Sequence, residues 1–320
     1  MSKYPHSAGQ RAARRSLVPY RPVMTKFQRW TLGVLLVALP GCAAATPTGG
    51  QSTATIQRPA GSGGAVTVTP VPTARQPITM LTPAAAPDPT SVAADLQTAE
   101  SGIRSPATRT IFISYLARLQ QDAYRQLVGH PDWVPAVLAQ VTPDIRQVIQ
   151  ANLTADLEIR ALNGNAHGLP HWRIVDPPPA DQLLNYYREA QRQFGVQWEY
   201  LAAIHLIETR MSRVQGTSVA GAQGPMQFMP ATWAAYGRGS INDPHDAILA
   251  AARYLHANGA PSDMGNAIYH YNPSWRYVRA VMLYAQQMIV SERAFIGYYY
   301  WQVYVSTSNG DVLLPTGYSG

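Results

Sequence analysis

Glu208 closes the almost wholly apolar run Leu201-Ala202-Ala203-Ile204-His205-Leu206-Ile207. A carboxyl group held against apolar neighbours loses hydration, which disfavours its charged form and raises its pKa. Leu201, Ile204, His205 and Glu208 share one helical face at spacings of three and four. Ala202, Ala203, Leu206 and Ile207 cover most of the rest, and a helix apolar nearly all round is buried. Glu208 also lies near the C-terminal end, where the helix dipole opposes a negative charge. Both effects push this carboxyl upward from about 4.3. A carboxyl still protonated near neutral pH can hand its proton to a leaving oxygen, as cutting a glycosidic bond requires. The competing reading is a solvated surface glutamate. The apolar stripe and the loop that follows weigh against it.

That loop holds Gly216, Gly221 and Gly224, which let backbone approach a ligand closely. It runs straight into Met226-Gln227-Phe228-Met229-Pro230. Gln227 offers one acceptor and two donors, suited to sugar hydroxyls and N-acetyl amides. Trp233, Tyr236, Tyr269, Tyr271, Trp275 and Tyr277 are numerous enough to line a groove for sugar rings, with at least half of them expected in the core. After Glu208 the acids are Asp243, Asp246, Asp263, Glu292 and Asp311. The first three read as caps or first-turn residues, Glu292 lies beyond the last long helix, and Asp311 follows a turn. No second carboxylate stands out for a two-carboxylate mechanism, and one acid suffices where the substrate supplies its own nucleophile. The histidines at 167, 171, 205, 245, 256 and 270 show no metal-ligand spacing, and no phosphate loop or dinucleotide fingerprint occurs. No metal and no cofactor is expected.

The elements that must position these groups read as mainly α. From about Asp95, Ile111, Tyr115, Leu116, Leu119 and Ala123 recur at helical spacing. Thr142-Pro143 opens another helix with Ile145, Val148, Ile149 and Leu153 as its stripe, closed by Gly164. These form a small helical unit, 95–175, whose role the residues do not reveal. Asp176-Pro177-Pro178-Pro179 is a stiff break that opens the main domain, 176–297. Helices are expected over 180–194, from Trp198 to about Ser212, and over 230–236. Three more follow, from Pro244 with Asp243 as cap to Asn258-Gly259, over 263–271, and from Ser274 to about Val290. In the tail, 298–320, Tyr298 to Val305 and Asp311 to Leu314 flank Ser308-Asn309-Gly310 and read as a β-hairpin.

The formal net charge of +7 resembles a nucleic-acid signal, but its location argues otherwise. Lys3, Arg11, Arg14, Arg15, Arg21, Lys26 and Arg29 precede the first acid, Asp88; without these seven, 18 basic residues face 18 acidic ones. The body is neutral, and no nucleic-acid partner is expected. The basic segment leads into the short apolar run 32–39, a signal-peptide core rather than a spanning helix. Met24 is an alternative start, since Lys26 and Arg29 alone make a charged leader. The run ends at Leu39-Pro40-Gly41-Cys42, and Cys42 is the single cysteine. Its position favours a lipid-modified cysteine over a buried thiol. The pattern resembles a bacterial lipobox, with Pro40 departing from the usual small residue. Residues 1–42 are then a lipoprotein leader. Residues 43–94, rich in Ala, Thr, Pro, Gly and Ser, cannot bury enough apolar surface to offset their ordering entropy and read as a disordered tether.

Glu208-Thr209, Ser218 through Gln227, and His270-Tyr271-Asn272 together resemble the soluble lytic transglycosylase domain, a relative of goose-type lysozymes. The family pattern is a glutamate–serine pair, a serine three residues before Gly-Ala-x-Gly-x-Met-Gln, and later an alanine-tyrosine-asparagine triplet. The resemblance covers about residues 180 to 290. It implies a lysozyme-like, mainly α fold and cleavage of the β-1,4 bond between N-acetylmuramic acid and N-acetylglucosamine in peptidoglycan. Carried over by position, Glu208 is the catalytic acid and then base. Ser218, Met226 and Gln227 hold the sugar and its N-acetyl group, Tyr271 orients the carboxyl, and Asn272 has a structural role. Thr209, His270 and Pro225 depart from the pattern without removing a catalytic group, and His270 is expected to pack.

The resemblance also implies a 1,6-anhydro product formed without water. Rival expectations are a lysozyme-type hydrolase, with Asp243 or Asp263 activating water, and a catalytically inactive wall-binding lipoprotein. The expected setting is outside the cytoplasm, with peptidoglycan glycan strands as partner and the membrane reached through lipidated Cys42.

Overall fold

The computed structural model describes residues 83–320. The leader, Cys42 and most of the expected tether lie outside the described residues. Helix α1 (Pro89–Arg104) starts ahead of the expected Asp95. The Asp88 carboxylate accepts the Ser91 N–H at 2.9 Å, and Pro89 takes the first turn, where a missing N–H costs no hydrogen bond. This cap lies inside a Pro- and Ala-rich stretch, which hides it. Next come α2 (Thr110–Gly129), a 3-10 turn (Pro131–Trp133), α3 (Val134–Gln140) and α4 (Pro143–Asn163). Where two helices were expected, four are present. Gly164 closes α4 at a φ of 66°, a conformation natural to glycine.

Strand β1 (Arg173–Ile174) precedes α5 (Ala180–Phe194), α6 (Trp198–Thr209) and strand β2 (Val214–Gln215), which pairs antiparallel with β1. Then follow α7 (Pro230–Tyr236), α8 (Pro244–Ala257), α9 (Met264–Tyr271), α10 (Trp275–Val290) and α11 (Arg293–Tyr299). Strands β3 (Val303–Thr307) and β4 (Gly310–Leu314) form the expected hairpin, with Val303 opposite Leu314 and Thr307 opposite Gly310. Its first strand is shorter than Tyr298 to Val305. Phe295 and Tyr298 are buried on α11, and Tyr298 meets Tyr284 and Trp301 edge-on, so tertiary packing outweighs the β-propensity of an aromatic-rich run.

Helix α4 packs along α10, α10 along α6, and α5 along α8. One continuous buried cluster reaches from Ala86 to Trp301. The stretches drawn as a helical unit, 95–175, and a main domain, 176–297, therefore share a core. At its centre lies a polar knot. Glu100 on α1 is fully buried and ion-paired with Arg104. It accepts from the Tyr124 hydroxyl of α2 and from Asn152 Nδ2 of α4 at 3.1 Å. Asn152 Oδ1 accepts the Tyr298 hydroxyl of α11 at 2.5 Å, and Arg104 reaches Gln287 Oε1 of α10 at 3.2 Å. Three helices thus meet at one carboxylate, and Arg104 and Asn152 tie two more into the same network.

Candidate active site

Every residue of α6 from Leu201 to Leu206 is buried, and so is Thr209. The helix ends because Arg210, Met211 and Ser212 all adopt left-handed backbone, with φ of 51°, 61° and 71°. Each such L-residue costs roughly 1–2 kcal/mol locally, so the turn must be held from outside. Met211 is buried, and its sulfur accepts from the Tyr187 hydroxyl at 3.3 Å. The Ser212 N–H donates to Thr209 Oγ1 at 3.2 Å, and Ser212 Oγ lies 2.8 Å from His205 Nε2. Thr209 in turn donates to the Pro225 carbonyl at 2.6 Å, clamping the helix end to the glycine loop.

His205 is fully buried, with Tyr187 Oη 2.7 Å from its Nδ1, and burial drives its pKa down to about 3. It is neutral and structural. Because its folded pKa lies below the unfolded value, its stabilising effect is complete above about 6.5 and fades as pH falls towards 3. The melting temperature of His205→Gln is expected to fall less than that of the parent between pH 7 and pH 4. Equal slopes would show that His205 plays no part in acid unfolding.

Glu208 sits one turn beyond His205 on this rigid helix. Protein atoms crowd its carboxyl, though part of the residue still reaches solvent. Burial pushes its pKa up to about 7, and a hydrogen bond from the Tyr277 hydroxyl, 2.5 Å from Oε1, pulls it partly back. Tyr277, buried on α10, rather than Tyr271, is the tyrosine hydrogen-bonded to this carboxyl. Tyr271 donates instead to the Met226 carbonyl at 2.6 Å. It is still close: the Glu208 charge, after burial, helps push its phenol well above the usual range. No local spacing joins 208 to 277, so the sequence could suggest Tyr277 only as one of several aromatic residues.

The glycine loop is folded on itself. Ser218 Oγ accepts the Ala222 N–H at 2.9 Å, which leaves its hydroxyl hydrogen free to donate. Gln223 and Phe228 exchange backbone hydrogen bonds of 2.9 and 2.8 Å. Gly224 has a φ of 74°, and a Cβ there would lie 1.9 Å from the Ile241 carbonyl oxygen, so no larger residue fits. Gln227, at a φ of 48°, donates its side-chain amide to the Gly224 carbonyl at 2.9 Å and reaches the Gly216 carbonyl at 3.4 Å. Met226, expected to touch substrate, has its side chain wholly buried and enters the site through its carbonyl.

Asn272 ends α9, its N–H donating to the Ile268 carbonyl at 3.1 Å. Tyr269 and Trp275 lie with ring centroids 4.9 Å apart, and Trp275 is 66% exposed. His270 is exposed rather than packed. Asp243 and Asp263 each accept a backbone N–H at 3.0 Å, from Asp246 and Asn266, as helix caps. Asp243, His245 and Asp246 could bring three ligand atoms within 4.8 Å of one another. Each has other work: Asp246 accepts from the Ser240 N–H and His245 Nε2 lies 3.0 Å from Glu189.

No helix among the described residues is long and apolar enough to cross a membrane. No curated protein and no solved structure matches the chain. Residues 185–286 match the family described as "Transglycosylase SLT domain", a stretch that holds α6, the glycine loop, Tyr271 and Tyr277 and leaves out α1 to α4 and the C-terminal hairpin. Residues 185–286 are therefore similar to a transglycosylase SLT domain, a type that acts on peptidoglycan.

Proposed function

We propose that this chain is a lytic murein transglycosylase cleaving the β-1,4 bond between N-acetylmuramic acid and N-acetylglucosamine, with Glu208 as acid and then base. The observation that carries the reading is the carboxyl pKa of about 7, set by burial, at the edge of a partly open site. Protonated Glu208 gives its proton to the glycosidic oxygen as the C1–O4 bond breaks. The substrate's acetamido oxygen stabilises the cationic C1. The carboxylate, steadied by Tyr277, then takes the proton of the muramic acid C6 hydroxyl while O6 bonds to C1. Glu208 ends protonated, no water is consumed, and the product is a 1,6-anhydro sugar.

The other groups are assigned to holding the sugar. With its amide hydrogens turned to backbone carbonyls, Gln227 keeps its carbonyl oxygen for an acetamido N–H. Ser218 has a hydroxyl hydrogen to donate. Tyr271 fixes the Met226 carbonyl, and Asn272 ends the helix that carries Tyr271. Among the described residues, burial and Tyr277 are the influences on the Glu208 carboxyl, with no second carboxylate. The Asp243 and Asp263 carboxylates are engaged as caps, which supports a lyase over a two-carboxylate hydrolase. Mass spectrometry of digested peptidoglycan tests this. Anhydro ends are expected; reducing ends would replace the lyase by a hydrolase, and no soluble fragments would leave a wall-binding protein. The proposal places the enzyme on a membrane through lipidated Cys42.

Tyr277→Phe isolates the hydrogen bond at the acid. Without it the carboxyl remains protonated to higher pH, so the alkaline limb of the pH–rate profile should move up. The base step loses a charge-assisted contact, and kcat should fall about 10- to 100-fold. An unmoved limb would show that the phenol does not govern this carboxyl.

A further inference from the structure

A cavity of about 800 Å³ lies apart from Glu208, which is not among its lining residues. It lies where the segment at β1 faces the glycine loop, and Gly216, Gly224 and Pro225 are part of its wall. Those residues also belong to the site. Gln227 donates to the carbonyls of Gly216 and Gly224, and Thr209, next to Glu208, donates to that of Pro225. One thin loop therefore separates the cavity from the sugar-binding groups.

The lining is unlike a sugar site. It has no aromatic ring for a pyranose face to stack on. Its polar side chains are Arg173, Asp176, Ser212, Gln215, Thr217, Gln223 and Asn242, and the remainder is proline, glycine and valine. Arg173 and Asp176 are exposed, one offering a planar cation and the other a carboxylate. The Arg173 guanidinium is steadied by Gln215 Oε1, 3.0 Å from Nε. Asp176 accepts the Thr316 hydroxyl at 3.2 Å. Amides, one charge of each sign and a stiff apolar floor suit an extended peptide that carries both carboxylates and an amine.

We propose that this cavity binds the short peptide carried by the glycan strand, so that the enzyme favours peptide-bearing over bare glycan. This rests on the peptidoglycan reading above. Arg173 pairs with a peptide carboxylate, Asp176 faces its amine, and the loop from Gly216 to Gly224 links peptide binding to the placement of Gln227.

The test uses soluble glycan chains with their peptides intact, and the same chains after an amidase has removed the peptides. The parent protein is expected to lose about tenfold in kcat/KM on the stripped chains, the worth of one charged hydrogen bond. Arg173→Ala, and separately Asp176→Asn, which lies outside the glycine loop, should lose that preference on peptide-bearing chains and keep the stripped-chain rate. Equal parent rates on both chains, or a preference that survives both variants, would overturn the proposal. Activity on neither chain would instead overturn the transglycosylase reading. Binding of the amidase-released peptide, followed by NMR on the inactive Glu208→Gln protein, should perturb Arg173 and Thr217; unperturbed signals at saturating peptide count against the site.

Discussion

Glu208→Gln is expected to end the release of soluble fragments from peptidoglycan, with a loss of at least about 10²–10⁴-fold. The amide fills the same space and its oxygen can still accept the Tyr277 hydroxyl, but it has no acidic proton to give and no basic oxygen to take one back. Both halves of the proposed reaction fail together. The fold should not suffer. With the carboxyl raised to about 7 from 4.5, its favourable effect on stability is complete below about 4.5 and is lost as pH climbs through 7. Glutamine removes that loss. At pH 8 the variant should therefore melt no lower than the parent, while at pH 4 the two should coincide. Turnover near the parent level would remove Glu208 from the chemistry. Lost turnover with a collapsed melting curve would point to a structural role instead.

Glu100→Ala is expected to be the most damaging change away from the site, at about 3–5 kcal/mol of unfolding free energy. The substitution strands the Arg104 guanidinium, whose side chain is only 15% exposed, and leaves the Tyr124 hydroxyl and Asn152 amide without their shared acceptor. Chemical denaturation at neutral pH measures it. Replacing Glu100 and Arg104 together by leucine should recover much of the loss, since a buried pair is worth far less than either member left alone. A single-variant loss below about 1 kcal/mol would mean that the knot is wet and unimportant.

Much of the scaffold could be read before any coordinates, because its signals are local. Gly195 ends α5 with a left-handed φ of 71°, Asp243 and Asp263 cap α8 and α9, and Gly237 follows α7. The apolar wrap of α6 located both the buried helix and the glutamate whose carboxyl it perturbs. What escaped depends on distant partners. The Tyr277 phenol reaches Glu208 across 69 positions of chain, and nothing near either residue announces the pair. Met226 stands in a motif that suggests ligand contact, yet its side chain fills the core beneath the loop. Strands β1 and β2, two residues each, are too short to show an alternation. Helix α11 is seven residues of aromatic-rich chain whose helical state follows from what it packs against.

The shared core has a practical bearing on how far the protein can be pared down. Residues 185–286 invite a minimal version of the protein, cut at the proline run. Such a cut would strip α4 from the side of α10, the helix that bears Tyr277, and would break the links from Glu158 to Arg276 and Arg279. The phenol steadying the acid would then hang from a helix with one greasy flank laid bare. The segment before the proline run is thus a splint for the machinery rather than a passenger beside it.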